Sequence, residues 1–251
     1  MELATLRRLS EVREGDGAAL VSALEPEESL SAKLLRLAGG AFFGQADRVR
    51  TLPRALVLLG APTVRDLAVA VGMWEALAAR VGRHRASELW EHAVAVGVAT
   101  KTLAARLRRG EPDEAFAAGL LHDVGRLVLA DRFGEAYWDA VGGPSEERAV
   151  ERLEAAALGV DHAEVGGWIL EGWGLPATVV LAVAEHHAEC PASPLGRLLH
   201  VADRLVEWTD RRSGALAPAA QELLARGVAP GVTAAVWEDV LEPVRHARWI
   251  A

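Results

Sequence analysis

The stretch Ala118-Gly-Leu-Leu-His122-Asp123-Val-Gly-Arg126 places an adjacent histidine and aspartate inside an apolar segment with helical spacing. Further histidines and acids lie before and after this pair, in an order typical of metal ligands. The candidate ligands are Glu88, His92, His122, Asp123, His162, His186, His187 and Asp203. Five of the eight histidines in the chain belong to this series. The whole set, rather than the dipeptide alone, predicts a metal site.

The mixture of imidazole and carboxylate indicates which metals the site would bind. These ligands together suit iron, manganese, zinc, nickel or cobalt, whereas an all-oxygen set would favour magnesium or calcium. The number of candidates exceeds the roughly four to six ligands of one ion, so the sequence predicts two ions with Asp123 as the bridge. Two ions about 3.5 to 4 Å apart clamp the attacking and leaving oxygens of a phosphoryl transfer and activate a bound water. Phosphoester hydrolysis is therefore the favoured chemistry.

Apolar residues recur at helical spacing along nearly the whole chain, and no segment shows the alternation of a strand. We predict an all-α protein with an N-terminal helical lobe over residues 1–80 and a metal-binding helical core over residues 81–210. Residues 211–251 are predicted to form a C-terminal helical appendage. The segment from Val81 to Arg85 is the predicted joint between lobe and core, and we do not expect the two halves to fold independently.

Capping residues predict where several helices begin. Thr63 with Asp66 resembles a capping box for a helix that runs toward residue 80, and Ser87 is a candidate cap for the helix that carries Glu88 and His92. Asp161 is predicted to cap the helix of His162. Further helices are predicted to begin at Asp113, Ser145, Pro176 and Ser193.

Composition excludes some classes of function. With 51% hydrophobic and 25% charged residues, the chain has the composition of a soluble globular protein. We find no apolar run of membrane-spanning length and no signal peptide, so we expect no membrane partner. The net charge of -8 argues against nonspecific nucleic-acid binding. The single Cys190 allows no internal disulfide, which is consistent with the expected cytoplasmic location.

Two other sets of residues have simpler interpretations. The eight tryptophans, which include Trp90, Trp168 and Trp208, lie in helical patterns that favour core packing over base stacking. His84 has arginine-rich neighbours and is predicted to be solvated. His200, three residues before Asp203, is a candidate for orienting that acid without binding metal itself.

Several segments outside the ligands carry a family resemblance. They are Ser29-Leu-Ser-Ala-Lys-Leu-Leu-Arg-Leu-Ala38, Ala41-Phe-Phe-Gly44, Leu52-Pro-Arg-Ala-Leu-Val-Leu-Leu-Gly60, Val64-Arg-Asp-Leu67, Leu89-Trp-Glu-His92, His162-Ala-Glu-Val-Gly166 and Trp173-Gly-Leu-Pro176. Together with the ligand series, they resemble the HD superfamily of metal-dependent phosphohydrolases and, within it, the HDOD family. The resemblance covers about residues 10 to 210 and implies an all-helical HD-type core preceded by a helical lobe.

The resemblance implies two overlapping ligand sets that share Asp123. By analogy with HD enzymes, the first ion would be held by His92, His122, Asp123 and Asp203. By analogy with HD-GYP cyclic-dinucleotide phosphodiesterases, the second would be held by Asp123, His162, His186 and His187. Glu88 matches an additional acidic ligand of that second group, and Arg126 stands where its members carry a phosphate-contacting lysine.

The same resemblance leaves two classes of function open. In the enzyme class, two divalent ions, iron or manganese with zinc or nickel as alternatives, activate water against a phosphoester of a nucleotide or signalling nucleotide. Asp123 and Arg126 are the catalytic candidates, and the intact ligand set favours this class. In the regulatory class, which predominates in the HDOD family, the protein binds metal or a nucleotide without turnover and contacts a signalling partner through its N-terminal lobe.

Two departures from the HD-GYP pattern favour the regulatory class. Ala188-Glu-Cys-Pro191 replaces the loop that carries the Gly-Tyr-Pro signature, so cyclic-di-GMP specificity is not expected. No general acid is identified. We therefore expect an HDOD-like signalling protein with a real metal site ahead of a proven hydrolase.

Overall fold

A computed structural model describes residues 8–9, 11–12, 16–39, 48–142 and 150–211. Its helices, in chain order, are α1 (Gly17–Leu24), α2 (Glu28–Ala38), α3 (Leu52–Leu59), α4 (Ala61–Val81), α5 (Arg83–Leu107), α6 (Pro112–Leu121), α7 (Val124–Phe133), α8 (Glu135–Val141), α9 (Val150–Leu158), α10 (His162–Gly172), α11 (Ala177–Ala184) and α12 (Pro194–Arg211). No strand occurs in these ranges, and the all-α prediction is confirmed. The predicted appendage beyond Arg211, the helix start at Ser145 and the Ala41–Gly44 segment lie outside the described residues.

Local side-chain chemistry explains several of the helix starts. Asp161 caps α10, because its carboxylate accepts a hydrogen bond from the backbone N–H of Glu164 at 2.9 Å. Ser193 precedes α12, and its hydroxyl accepts from the N–H of Gly196 at 2.9 Å. Pro176 stands immediately before α11, and α6 begins at Pro112, one residue before the predicted Asp113. These starts are confirmed to within one residue.

Two predicted helix starts are wrong, and glycine explains both. α4 begins at Ala61 after Gly60, and α5 begins at Arg83 after Gly82. Each glycine has a positive φ, 82° and 100° respectively, which turns the chain before the first helical residue. Thr63 instead donates a hydrogen bond to Asp113 at 3.0 Å, while Ser87 lies inside α5.

The lobe and the core share one hydrophobic cluster across the predicted joint. The chain does turn at Gly82, within the predicted joint. However, α4 packs against the core helices, since the indole N–H of Trp74 donates to the carbonyl of Leu120 at 2.9 Å. The Trp74 ring also meets Trp90 of α5 edge to face, with centroids 5.4 Å apart. The described contacts run across residue 80, and the domain boundary at that position stays a prediction.

A close crossing of α5 and α6 positions two of the candidate ligands. A Cβ atom added at Gly119 would lie 2.5 Å from the Cα of Gly97 and 2.8 Å from the carbonyl oxygen of Val96. Only a residue without a side chain allows the two backbones to approach this closely. His92 lies before this crossing on α5 and His122 follows it at the end of α6, so the crossing brings the two histidines together.

Most of the described tryptophans are buried or half-buried, as predicted, but Trp168 is 62% exposed and the prediction of core packing is wrong there. α10 packs against α11 through Gly166 and Gly167, whose added Cβ atoms would meet Val183 and Ala184. Trp168 is rotated around the helix by about 100° from Gly167 and about 200° from Gly166, and its side chain therefore points away from α11. The side chain of Trp208 lies outside the described residues.

Among the described helices, none combines the length and the apolar character that a membrane span requires.

Candidate metal centre

The candidate ligands reach one buried position mainly from the ends of helices. His122 ends α6 and Asp123 precedes α7, so the central dipeptide occupies the junction between these helices. His162 is the first residue of α10, and His186-His187 follows the end of α11. The remaining ligands are His92, on α5, and Asp203, on α12. Such a junction lets adjacent histidines face the same point, which the 100° rotation within a helix would prevent.

The first part of the cluster surrounds Asp203. Its Oδ1 atom lies 3.1 Å from Nε2 of His92 and 3.6 Å from Nε2 of His122. The same Nε2 atom of His122 lies 3.6 Å from Oδ1 of Asp123. Ligand atoms of His92, His122 and Asp123 all lie within 4.8 Å of one another, so the structure brings the residues of the first predicted set close together.

The second part of the cluster surrounds His162. Its Nε2 atom lies 3.2 Å from Oδ1 of Asp123 and 2.9 Å from Nε2 of His187. Ligand atoms of His162, His186 and His187 form another group within 4.8 Å, and His186 also belongs to a group with His122 and Asp203. Asp123 presents the same oxygen to His122 and to His162 and therefore lies between the two parts, as a bridging ligand would.

The chemistry of His186 fits a metal ligand. Its Nε2 atom is buried and is one of three buried side-chain polar atoms without a hydrogen-bond partner in the described part of the chain. An unsatisfied buried polar atom is costly, and such atoms mark sites where an ion or ligand belongs. Burial, with the charges of His122 and His162, lowers the pKa of His186 to about 3. The ring is therefore neutral, the form that coordinates a metal.

Backbone carbonyls orient two of the histidines. Nδ1 of His122 lies 2.7 Å from the carbonyl of Gly119, and Nδ1 of His186 lies 2.6 Å from the carbonyl of Val183. A carbonyl can only accept, so each ring carries a proton on Nδ1 and turns its Nε2 atom toward the cluster. His200 was predicted to orient Asp203. Instead, its Nδ1 atom contacts the backbone carbonyl of His186 at 2.7 Å.

The acids carry negative charge into the cluster. Burial alone would raise the pKa of Asp123, but the charges of His122 and Arg126 and the hydrogen bond from His162 hold it well below its usual range. Burial acts in the same sense on Asp203, where hydrogen bonds and charges of His122 and His92 lower the pKa. Both carboxylates are therefore ionised and present anionic oxygen donors beside the imidazoles.

Glu154 and Tyr137 were not predicted from the sequence. The side chain of Glu154 is buried behind His162 and accepts hydrogen bonds from Nδ1 of that ring at 2.6 Å and from the hydroxyl of Tyr137 at 2.6 Å. Glu154 precedes His162 by eight residues, across the break between α9 and α10, and belongs to no recognisable motif. Its only sequence signal is an acid among the apolar residues of α9.

The structure does not bring Glu88 to the cluster. Its side chain is 43% exposed, its Oε1 atom lies 3.6 Å from Nδ1 of His84, and it belongs to none of the three groups of possible ligands. His84 is itself 86% exposed, in agreement with the prediction. Arg126 does lie at the cluster, since its Nη1 atom is 3.2 Å from Oδ2 of Asp123.

The comparison with protein families agrees with this geometry. The model of the HDOD domain matches residues 3–189, well over half of the chain. One curated relative, an uncharacterized protein of Treponema pallidum (strain Nichols), is 25% identical over 174 residues, which cover 67% of this chain and 33% of the relative. The chain thus spans about a third of the length of the curated relative that it matches.

Solved structures show the same fold. A proposed phosphohydrolase from Shewanella amazonensis SB2B has a TM-score of 0.74 at 22% identity, covering 100% of this chain and 94% of that one. An HDOD domain protein of unknown function from Geobacter sulfurreducens has a TM-score of 0.69 at 18% identity, covering 100% and 93%. A proposed signal transduction protein from Marinobacter aquaeolei VT8 has a TM-score of 0.69 at 25% identity, covering 98% and 57%.

Proposed function

The chain belongs to the HDOD family, and on this premise we propose that it is a regulatory protein with a working two-metal site that can hydrolyse a phosphoester. The observation that carries the proposal is the convergence of buried imidazole and carboxylate donors from helices far apart in sequence. The converging residues are His92, His122, Asp123, His162, His186, His187 and Asp203. Burying so many titratable groups together costs folding free energy unless the groups are paired, and a bound metal ion would supply such a partner.

Each residue has a role that its position supports. His92, His122 and Asp203 would hold the first ion, while His162 and His187 would hold the second, with Asp123 shared between them. His186 lies close to His122 and Asp203 on one side and to His162 and His187 on the other, so it could be a ligand of either ion. Iron or manganese would suit these donors, with zinc or nickel as alternatives. Such a pair of ions supplies Lewis-acid activation of water and of a phosphoester.

Arg126 is our candidate for contact with the substrate phosphate. Its guanidinium is held at the cluster by Asp123, its side chain is 12% exposed, and its Nε atom has no hydrogen-bond partner among the described residues. A guanidinium binds phosphate with fork geometry. Burial would lower the pKa of Arg126, but the charge of Asp123 raises it above its ordinary value, so Arg126 is cationic at every relevant pH. Glu88 stays a prediction as an additional ligand and would have to leave His84 to reach an ion.

Metal content is the first test of this proposal. The protein, purified without chelator or affinity tag, should contain about two transition-metal ions per chain by elemental analysis, and Asp123→Ala should lose both because the shared ligand is gone. His84→Ala should retain them, since that side chain is solvated. Equal loss in the two variants would contradict the ligand assignment, and a wild type that refuses added iron, manganese and zinc would contradict the metal site itself.

Turnover is tested separately, with the reconstituted protein and a panel of phosphodiesters and nucleotides. Hydrolysis that requires the bound ion and fails in Asp123→Ala would establish the enzyme. Arg126→Ala should lower turnover by about a hundredfold or more if the guanidinium stabilises charge on the phosphate.

A regulatory scaffold without turnover is the second candidate. It is favoured by the 25% identity to the Marinobacter protein, which is described as a proposed signal transduction protein. In that case the site binds metal or a nucleotide, and the N-terminal lobe contacts a signalling partner. Val57 on α3, the most exposed large apolar side chain among the described residues, lies on that lobe. Metal occupancy without hydrolysis of any phosphoester in the panel would select this candidate.

A further inference from the structure

The carboxylate of Glu154 is completely buried, and both of its oxygens are hydrogen-bonded. Oε2 accepts from the backbone N–H of His162 at 2.8 Å and from Nδ1 of the same residue at 2.6 Å. Oε1 accepts from the hydroxyl of Tyr137 at 2.6 Å. These hydrogen bonds fix the orientation of the carboxylate, which binds both the main chain and the ring of His162.

This contact determines which ring nitrogen of His162 faces the cluster. An ionised carboxylate only accepts, so the proton of the hydrogen bond resides on Nδ1. The opposite nitrogen, Nε2, is then turned toward Oδ1 of Asp123 at 3.2 Å and Nε2 of His187 at 2.9 Å. The Nδ1 atom of His162 contacts a carboxylate, whereas the Nδ1 atoms of His122 and His186 contact backbone carbonyls.

From this geometry we infer that Glu154 is a positioning residue, which holds Nε2 of His162 on the second ion and, with Tyr137, ties α8 and α9 to the metal centre. The inference rests on the proposed two-metal site. A carboxylate behind a coordinating histidine fixes the tautomer and the ring orientation and increases the basicity of the ligand. Loss of such a partner weakens metal binding by about 10-fold to 100-fold.

The location of Glu154 makes the effect specific to one ion. Its hydrogen bonds reach His162 and Tyr137, and none of those found for it extends to His92, His122 or Asp203. Tyr137 is fully buried, so its hydroxyl is shielded from bulk solvent. Removal of the charge at Glu154 should leave the first ion in place and release the second more readily.

The experiment is a Co²⁺ titration of the whole protein, followed by visible absorption and elemental analysis. The variant Glu154→Gln keeps the size and one oxygen acceptor but removes the charge. Glu164→Gln is the matched control, because Glu164 is an exposed acid on the same helix as His162, two residues further along. Thermal melts of the metal-free proteins establish that each variant is folded at the titration temperature.

We expect Glu154→Gln to bind the first Co²⁺ as the wild type does and the second about 10-fold to 100-fold more weakly, with a changed absorption spectrum for that ion. Glu164→Gln should match the wild type. Two outcomes would overturn the inference: an unchanged second ion in Glu154→Gln, or equal weakening of both ions, which would indicate a general structural defect.

Failure of this inference is distinguishable from failure of the proposed function. A wild type that takes up no Co²⁺ overturns both. A wild type that binds two ions beside an indistinguishable Glu154→Gln overturns only the role of Glu154. Imidazole ¹⁵N–¹H spectra of the metal-free proteins add a direct readout, since the hydrogen-bonded Nδ1 proton of His162 should shift in Glu154→Gln and stay in place in Glu164→Gln.

Discussion

His162 is held between two carboxylates, and this arrangement controls its proton. Burial alone would lower its pKa, but the hydrogen bonds and charges of Asp123 and Glu154 raise it to about 10. In the metal-free protein at neutral pH, the ring is therefore protonated on both nitrogens. An ion that binds to Nε2 must displace one of these protons.

Metal binding at His162 should accordingly strengthen as pH rises. Because the competing proton has a pKa of about 10, we expect the affinity for the ion at His162 to increase about tenfold per pH unit between pH 6.5 and 8.5. Titrations with Mn²⁺ at several pH values in noncoordinating buffer measure this slope, and calorimetry in buffers of different ionisation enthalpy counts the released proton. A pH-independent affinity would show that His162 is not a ligand in the protonation state described above.

At the residue scale, the sequence indicates which histidines and acids come together but not the groups behind them. His122, Asp123 and the downstream histidines carry a recognisable pattern of residue types. Glu154 does not, because its function arises from a tertiary contact between α9 and the start of α10. Glu88 stays a prediction, because its i, i+4 spacing from His92 places both on one helix face but does not by itself bring its carboxylate to the cluster, where the structure does not place it.

Helix α7 approaches α10 so closely that no side chain fits between them. A Cβ atom at Gly125 would lie 2.0 Å from the carbonyl oxygen of His162. Gly125, two residues after Asp123, therefore lies directly against the first turn of α10. The distance between Asp123 and His162 therefore depends on the packing of two helices, as well as on the two side chains.

Gly125→Ala should separate α7 from α10 and displace His162 from Asp123. We expect a loss of about 1–3 kcal/mol of unfolding free energy from overpacking, together with weaker binding of one ion. Gly172→Ala is the control, because Gly172 ends the same α10 and an added Cβ meets nothing within 4 Å. Denaturant unfolding and metal titration of both variants test the prediction, and a Gly125→Ala protein with full metal affinity would contradict it.

The positions of most helices, but not all of their ends, could be predicted from the sequence. Asp161 and Ser193 were recognisable caps because their side chains supply the missing hydrogen bond. Gly60 and Gly82 were missed because a positive φ leaves no donor or acceptor pattern in the side chains. Helix α4 thereby begins earlier than Thr63 suggested, and that threonine is free to bond Asp113 in the core.

The molecule as a whole has one continuous core, in which α4 links the lobe to the metal-binding helices. Trp74→Phe keeps most of the apolar contact but leaves the buried carbonyl of Leu120 without the indole donor. We expect a loss of about 1–3 kcal/mol, with the lobe and the core still unfolding together. Circular dichroism and a fluorescent probe on the lobe should give coincident transitions, and a separate early transition of the lobe would contradict a shared core.

Bound ions should stabilise the entire fold, because their ligands come from α5, the α6–α7 junction, α10, the end of α11 and α12. At a free metal concentration of about 100 times the dissociation constant, one site adds about 2.7 kcal/mol. For a chain of this size this is a rise in Tm of roughly 5 to 10 °C. Differential scanning calorimetry with and without Mn²⁺ measures the shift, which should be absent in Asp123→Ala.

The order of these ligands along the chain has a consequence for how the protein is made. No described helix supplies enough ligands to hold an ion alone, and Asp203, the last of them, follows His92 by more than one hundred residues. A ribosome would therefore have to translate beyond the matched HDOD region, which ends at residue 189, before a complete binding site could exist. Metal would then bind only late in synthesis. A nascent chain that stalls before α12 would have an incomplete ligand set, whose histidines could bind other ions.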